Sequence, residues 1–256
     1  MIWSGSQFMQ WPTFEQLSGC CDAHLIDVGS RFRQASVRMT PEAAGALCEL
    51  AAEAERAGIV LAVASAYRSF ERQLAIWNAK AGGQRAVLDA QGRPLALHEL
   101  TERERVFAIL RWSALPGGSR HHWGTDVDVY DAGRLPPGYQ LRLTPDEAAP
   151  GGVCHVLHRW LDQRLQVDGE ASFYRPYSCD DGGVAPEPWH LSYAPQARQI
   201  ERWLQPGALR DLISAQPLAL KGAVLDNFEE IFWRFVLPQG GLARPSSGGA
   251  HVAGHL

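Results

Sequence analysis

Apolar residues recur at helical spacing in some stretches of this chain and form short unbroken runs in others. Ala43 to Arg56 is dense in strong helix formers, with Thr40 as a capping hydroxyl, Pro41 suited to the first helical position and Gly58 as a stop. The run Ile59-Val60-Leu61-Ala62-Val63-Ala64 that follows predicts a short buried strand. Phe70 to Lys80 predicts a second helix, broken at Gly82-Gly83. Glu99 to Trp112 predicts a third, ended by Pro116-Gly117-Gly118. Thr125 to Tyr130 alternates Asp and Val with period two, the mark of a strand with two unlike faces.

Residues 131 to 152 are rich in Pro, Gly and Asp and predict an irregular excursion. A helix over Val153 to Leu165, a short strand over Ser172 to Pro176 and an extended segment over Glu187 to Leu191 come next. Helical patterns return near 195–204, 207–215 and 220–236; the last two are left to cap the domain or to form a dimer interface. The expected organisation is an N-terminal arm over 1–38 with a short helix after Pro12, a main domain over 39–205, a helical extension over 206–238, and a mobile Gly/Ser/Ala-rich tail over 239–256. No internal repeat is visible.

Composition narrows the function classes. With 46% hydrophobic and 20% charged residues among 256, the chain reads as an ordinary globular protein able to bury a core without staples. A net charge of −4 gives no reason to expect a nucleic-acid partner. No stretch is apolar and long enough for a membrane span. The N-terminus has no positive region followed by an apolar run, so the expected compartment is the cytoplasm if Met1 is the native start, and the periplasm otherwise. The five cysteines contain no C-x-x-C pair, which argues against thiolate zinc binding, and Cys48 and Cys154 read as small buried hydrophobes.

Three segments gather polar residues beside buried-looking elements: Ser65 to Gln73, Ser119 to Asp128, and Glu187-Pro188-Trp189-His190. In the second, Gly124 lets the backbone turn between His121 and Asp128, so that an imidazole and a carboxylate can converge as metal ligands. Loop histidines beside a solvated strand face are the bland alternative for that segment. In the third, Glu187 precedes a proline and is pushed towards extended, polyproline-like geometry, in which Glu187 and His190 share a face, with Trp189 as a wall. A carboxylate beside a metal-held water is what metal-assisted hydrolysis requires. Arg68, between a strand and a helix, offers a guanidinium for a terminal carboxylate or a developing oxyanion; a surface ion pair is the competing reading.

Taken together, the patterns S-x-Y-R-S-x-x-x-Q at Ser65–Gln73, S-x-H-x-x-G-x-x-x-D at Ser119–Asp128 and E-P-W-H at Glu187–His190 resemble those of the M15 metallopeptidases. That group includes the VanY-type D-alanyl-D-alanine carboxypeptidases, and the resemblance spans roughly Thr40 to Ser192. It implies an α+β fold, a small antiparallel sheet with packed helices and zinc in a cleft on the sheet. It implies His121, Asp128 and His190 as Zn2+ ligands, Glu187 as catalytic acid/base, and Arg68 as the group that binds the substrate carboxylate or the tetrahedral intermediate. Ser65, Tyr67, Gln73, Ser119 and Trp189 are implied to shape or support the substrate pocket. One departure stands out: many members have a small residue two before the ligand aspartate, where this chain has Asp126. Asp126 faces the same way as Asp128 on a strand, so it is read either as a competing ligand or as a support to one. His122 poses the same question beside His121.

The expected partner is a peptidoglycan-derived peptide ending in D-alanine. A cytoplasmic enzyme has more use for trimming recycled tetrapeptides than for destroying precursors, so L,D-carboxypeptidase activity is expected ahead of D,D. A phage-lysin-type endopeptidase ranks lower, because the region after Ala194 reads as helices rather than wall-binding repeats. A zinc-stabilised module that binds peptidoglycan without cleaving it is the non-enzymatic alternative, and it has no need of Glu187 and Arg68.

Overall fold

The structure, a computed structural model, describes residues 12–32, 36–89, 92–165 and 172–237. The chain opens with a one-turn helix α1 (Phe14–Leu17) and a two-stranded ribbon, β1 (Ile26–Asp27) and β2 (Arg38–Met39). Helix α2 (Pro41–Arg56) follows, with the Thr40 hydroxyl accepting from the Ala43 amide. Strand β3 (Leu61–Ser65) leads into α3 (Phe70–Ala81), capped by the Ser69 hydroxyl, and then α4 (Glu102–Leu110), closed at its start by a Thr101–Glu104 capping box. Strand β4 (Asp126–Asp131), helices α5 (Pro145–Ala148) and α6 (His155–Leu165), and strands β5 (Phe173–Tyr174) and β6 (His190–Tyr193) complete the middle of the chain. Four helices end the described chain: α7 (Ala194–Trp203), α8 (Pro206–Ala215), α9 (Lys221–Asp226) and α10 (Phe228–Ile231). None among the described residues is long and apolar enough to cross a membrane.

The fold class is α+β, as the sequence suggested: a four-stranded antiparallel sheet in the order β3-β4-β6-β5, surrounded by helices. The Asp/Val alternation of β4 divides the sheet into two chemistries. Val127 and Val129 point into a core that includes Leu47 of α2, Leu157 and Leu161 of α6, and Val63 and Leu191 of the flanking strands. Asp126 and Asp128 therefore face the other way. A second core joins Trp77 of α3 and Ile109 and Leu110 of α4 to Leu209, Ile213, Phe228 and Phe232 of the C-terminal helices. Trp77 is fully buried and its indole N–H donates to the Ala219 carbonyl at 2.9 Å. Burying a side chain of that size contributes on the order of 2–3 kcal/mol, so α3 is held from behind by the region after residue 206.

Several boundaries differ from the sequence expectation for local reasons. The single helix over 220–236 is broken into α9, α10 and a π-helical turn over Phe232–Val236. The Asn227 side-chain Nδ2 donates to the Ala223 carbonyl four residues back and competes with the helical ladder. The excursion 131–152 contains the short helix α5, and the helix expected from Val153 begins only at His155, because the Cys154 amide bonds instead to the Glu147 carbonyl. Cys48 is half-buried rather than buried, Cys154 is buried, and all five cysteines are free. The expected tail 239–256 and the first residues of the arm lie outside the described residues.

Candidate active site and metal centre

Residues Arg120–Trp123 form a single 3-10 turn ended by Gly124 at φ +73. A Cβ there would sit 2.3 Å from Leu25 Cδ2, so the left-handed backbone and the close approach both call for glycine. This turn sets His121 at the mouth of β4. On the strand, Asp128 pairs across the sheet with His190 of β6 on one side and Ser65 of β3 on the other. His121 Nε2 lies 3.3 Å from Asp128 Oδ2, and His190 Nδ1 lies 3.2 Å from Asp128 Oδ1. One ligating atom from each of the three falls within 4.8 Å of the others.

Hydrogen bonds on the far side of each ring fix which nitrogen faces inward. His121 Nδ1 is 2.9 Å from the Ala66 carbonyl, so it carries the proton and Nε2 is left as a lone pair. His190 Nε2 is 2.9 Å from Asp126 Oδ1, so in the neutral ring Nδ1 is the lone pair. Both Asp128 Oδ1 and His190 Nδ1 are buried without a hydrogen-bond partner. Two acceptors facing each other at 3.2 Å and lacking a donor are what a cation resolves. A tetrahedral zinc with bonds of about 2.0–2.1 Å separates its ligands by roughly 3.3 Å, and the N, N, O donor set with a fourth side open matches a catalytic zinc site. The residues present fit a zinc ion.

Asp126 and His122 fall outside the cluster. Asp126 is held by the Arg120 guanidinium at 2.9 Å and the Thr125 hydroxyl at 2.6 Å as well as by His190. Burial alone would raise its pKa, but Arg120, and after it His190 and Thr125, hold the carboxyl well below the usual carboxylate range. Arg120 is itself buried, and it donates further to Glu201 of α7 at 2.6 Å and to Tyr174 and Ser192 at 2.7 Å each. His122 points away from the cluster: its Nε2 accepts from the Gly117 amide at 3.1 Å and its Nδ1 donates to the Arg68 carbonyl at 2.6 Å. Burial pushes its pKa down to about 3, so it stays neutral and serves to clamp the Arg68 backbone.

His121, Asp128 and His190 line a cavity of about 530 Å³ together with Arg68, Ser119, Glu187 and Trp189. Glu187 Oε2 lies 3.5 Å from His190 Nδ1, which sets its carboxylate at the edge of the cluster. Their convergence comes from a turn and not from the polyproline geometry expected: the His190 amide donates to the Glu187 carbonyl at 3.1 Å, with Pro188 at the turn's second position. Arg68 Nη1 donates to Gln73 Oε1 at 2.8 Å and Nη2 to Ser65 Oγ at 3.1 Å. Both partners are neutral, so the guanidinium keeps its charge available. Burial lowers its pKa, and Asp128 and Glu187 work in the opposite direction.

Three residues read as shaping or supporting the pocket do not line the cavity. Ser65 and Gln73 act one step back, as the holders of Arg68. Tyr67 turns away: its hydroxyl donates to the Gly19 carbonyl at 3.1 Å and its ring packs under Arg38. Sequence reasoning passed over Lys80, Arg120, Trp112, Thr144 and Tyr177, all on the cavity wall. Tyr177 is buried with its ring 5.1 Å from that of His190, and burial pushes its phenol far up, so it remains protonated. Arg120 stood within a recognised segment, beside His121. Tyr177 and Thr144 carry no pattern that distinguishes them in the sequence.

Residues 36–196 match the family model of VanY, described as D-alanyl-D-alanine carboxypeptidase. An uncharacterized protein of Haemophilus influenzae is 32% identical over 124 residues, covering 48% of this chain and 93% of that one. A D-alanyl-D-alanine carboxypeptidase of Enterococcus faecalis is 29% identical over 136 residues, covering 53% of this chain and 41% of that one. Among solved structures, a mutant vancomycin resistance D,D-pentapeptidase VanY in complex with Zn(II) superposes with a TM-score of 0.47 at 23% identity, covering 79% of this chain and 90% of that one. The LD-carboxypeptidase LdcB superposes with a TM-score of 0.44 at 21% identity, covering 83% and 78%. With more than half its length matched by the family model, the chain belongs to the VanY family of carboxypeptidases.

Proposed function

We infer that the protein is a zinc-dependent carboxypeptidase that removes the C-terminal D-alanine from peptidoglycan-derived peptides. The observation that carries this reading is the presence of Glu187 and Arg68 in one cavity with the His121–Asp128–His190 cluster. A structural metal site would need neither. Family membership and the named activity of the Enterococcus faecalis relative support the substrate class.

When bound, the zinc supplies a water acidified to a pKa of about 7 and a Lewis acid for the scissile carbonyl. The remaining work belongs to the chain. Glu187 takes the proton of the attacking water as its oxygen adds to the last peptide carbonyl. The C–N bond then breaks, and Glu187 returns the proton to the departing amine. Arg68, held rigid by Ser65 and Gln73, supplies a fixed positive charge for the developing oxyanion or the substrate's terminal carboxylate. Trp189 and Tyr177 wall the cavity.

The test is mass spectrometry of products from tetrapeptide and pentapeptide muropeptides with wild type and Glu187→Gln, with and without chelator. The expected outcome is loss of one D-alanine, abolished by chelator and by Glu187→Gln, while that variant still binds one zinc. Near-normal turnover in Glu187→Gln would sink the assignment. The same panel reads the finer expectation of an L-configured residue before the scissile bond. Preferential trimming of the tetrapeptide supports it, and selective trimming of the pentapeptide rejects it in favour of D,D activity.

A further inference from the structure

Lys80 stands in the last turn of α3 and lines the same cavity as Arg68, Glu187 and the metal cluster. Among the described residues its ammonium has no hydrogen-bond or ion-pair partner, whereas Arg120 on the same wall has four. A half-buried ammonium without a counter-charge is costly to keep. Burial pushes its pKa down to about 8; Arg85 and Arg68 also lower it, and Glu187 opposes them. The cations Arg68, Lys80, Arg120 and Arg142 outnumber the carboxylates Asp128, Asp146 and Glu187 along the wall by one. A divalent ion in the cluster therefore leaves the cavity with positive charge for an anionic occupant.

Helix α3 also fixes where that charge stands. Gln73, Trp77 and Lys80 follow at i, i+4 and i+7 and share one face. Gln73 holds Arg68 at one end of that face, and the buried Trp77 anchors the middle. Seven residues of helix rise by about 10 Å, so the positions of Gln73, which holds Arg68, and Lys80 stand about that far apart along α3. An extended peptide advances about 3.3–3.6 Å per residue, so the interval corresponds to two or three residues. With the substrate's C-terminal end at Arg68, an upstream stretch of the chain that follows this face of α3 reaches Lys80.

We propose that Lys80 is a specificity-determining residue that binds a second carboxylate, carried by the substrate peptide two or three residues before its C-terminus. The inference rests on the carboxypeptidase reading above and names the class of peptide that the site takes: an acidic stem and not merely any chain ending in D-alanine. The test uses the zinc-loaded full-length chain. The substrates are synthetic tetrapeptides ending in D-alanine, differing only in whether a side group two or three residues before the end is a free carboxylate or its primary amide.

Wild type is expected to cut at least one of the acidic peptides with a KM at least tenfold below that of its amide. Lys80→Met is expected to raise the KM for that acidic peptide about tenfold, so that acid and amide are cut alike, and Lys80→Arg to restore part of the preference. The loss falls on KM with little change in kcat, which a general weakening of the fold would not produce. Equal KM values for acid and amide in wild type, or a preference that survives in Lys80→Met, overturn the role of Lys80 while the carboxypeptidase reading stands. Failure of wild type to cut any of the peptides overturns both.

Discussion

Asp126 Oδ1 lies 2.9 Å from His190 Nε2, on the side of the ring opposite the cluster. This contact sets the extra acid two residues before Asp128 behind one ring of the cluster and not within it. A carboxylate behind a ligating imidazole sets its orientation and raises its basicity, and losing such a partner typically weakens metal affinity 10–100-fold. Arg120, held through Glu201 to α7, keeps Asp126 ionised and in place. Asp126→Asn retains the volume and removes the charge. We expect it to bind zinc at least tenfold more weakly in competition with a chromophoric chelator, and to recover activity as free zinc is raised. Unchanged zinc affinity would show that Asp126 serves packing alone.

Much of this arrangement was legible in the sequence. The Asp/Val alternation of β4 gave the strand and its two faces, and the three polar segments named the residues that the fold gathers: His121, Asp128, His190, Glu187 and Arg68. What could not be read was orientation. Tyr67 sits next to Arg68 in sequence, yet its hydroxyl bonds to Gly19, outside the cavity lining, because adjacent residues on an extended chain point in opposite directions. Glu187 and His190 converge by a turn, an outcome that a proline-containing tetrapeptide allows as readily as polyproline geometry. Lys80 reads locally as an ordinary basic residue at a helix C-terminus. Only the packing of α3 against the C-terminal helices shows that it borders the cavity.

Gly124 links fold to site most directly, since it closes the turn that carries His121 and its carbonyl accepts from the Thr40 amide at 3.0 Å. An alanine there meets a left-handed backbone, costing about 1–2 kcal/mol, and a Cβ crowding Leu25. Gly124→Ala is expected to lower the thermal midpoint by several degrees, at roughly 2–4 °C per kcal/mol for a chain of this size. It is also expected to weaken zinc binding, because His121 shifts with the turn. A variant with wild-type Tm and zinc affinity would show that the turn can relax without moving the ligand.

His158 carries a separate prediction, for stability against pH. It is buried on α6 away from the cluster, with Nδ1 lacking a hydrogen-bond partner. Burial pushes its pKa down to about 4; Arg175 and His155 lower it further, and Asp162 opposes them. The unfolded chain, with an ordinary histidine pKa near 6.5, therefore binds a proton that the folded chain refuses. Its contribution is fully present above about pH 6.5, is lost as pH falls towards 4, and changes no further below that. The interval corresponds to on the order of 3 kcal/mol. His158→Gln removes this titration and leaves every other group in place. Urea unfolding followed by tryptophan fluorescence at pH 7, 5.5 and 4 is expected to show wild type losing more stability than the variant by about that amount. Parallel losses in the two proteins would mean that His158 becomes protonated in the folded state at little cost.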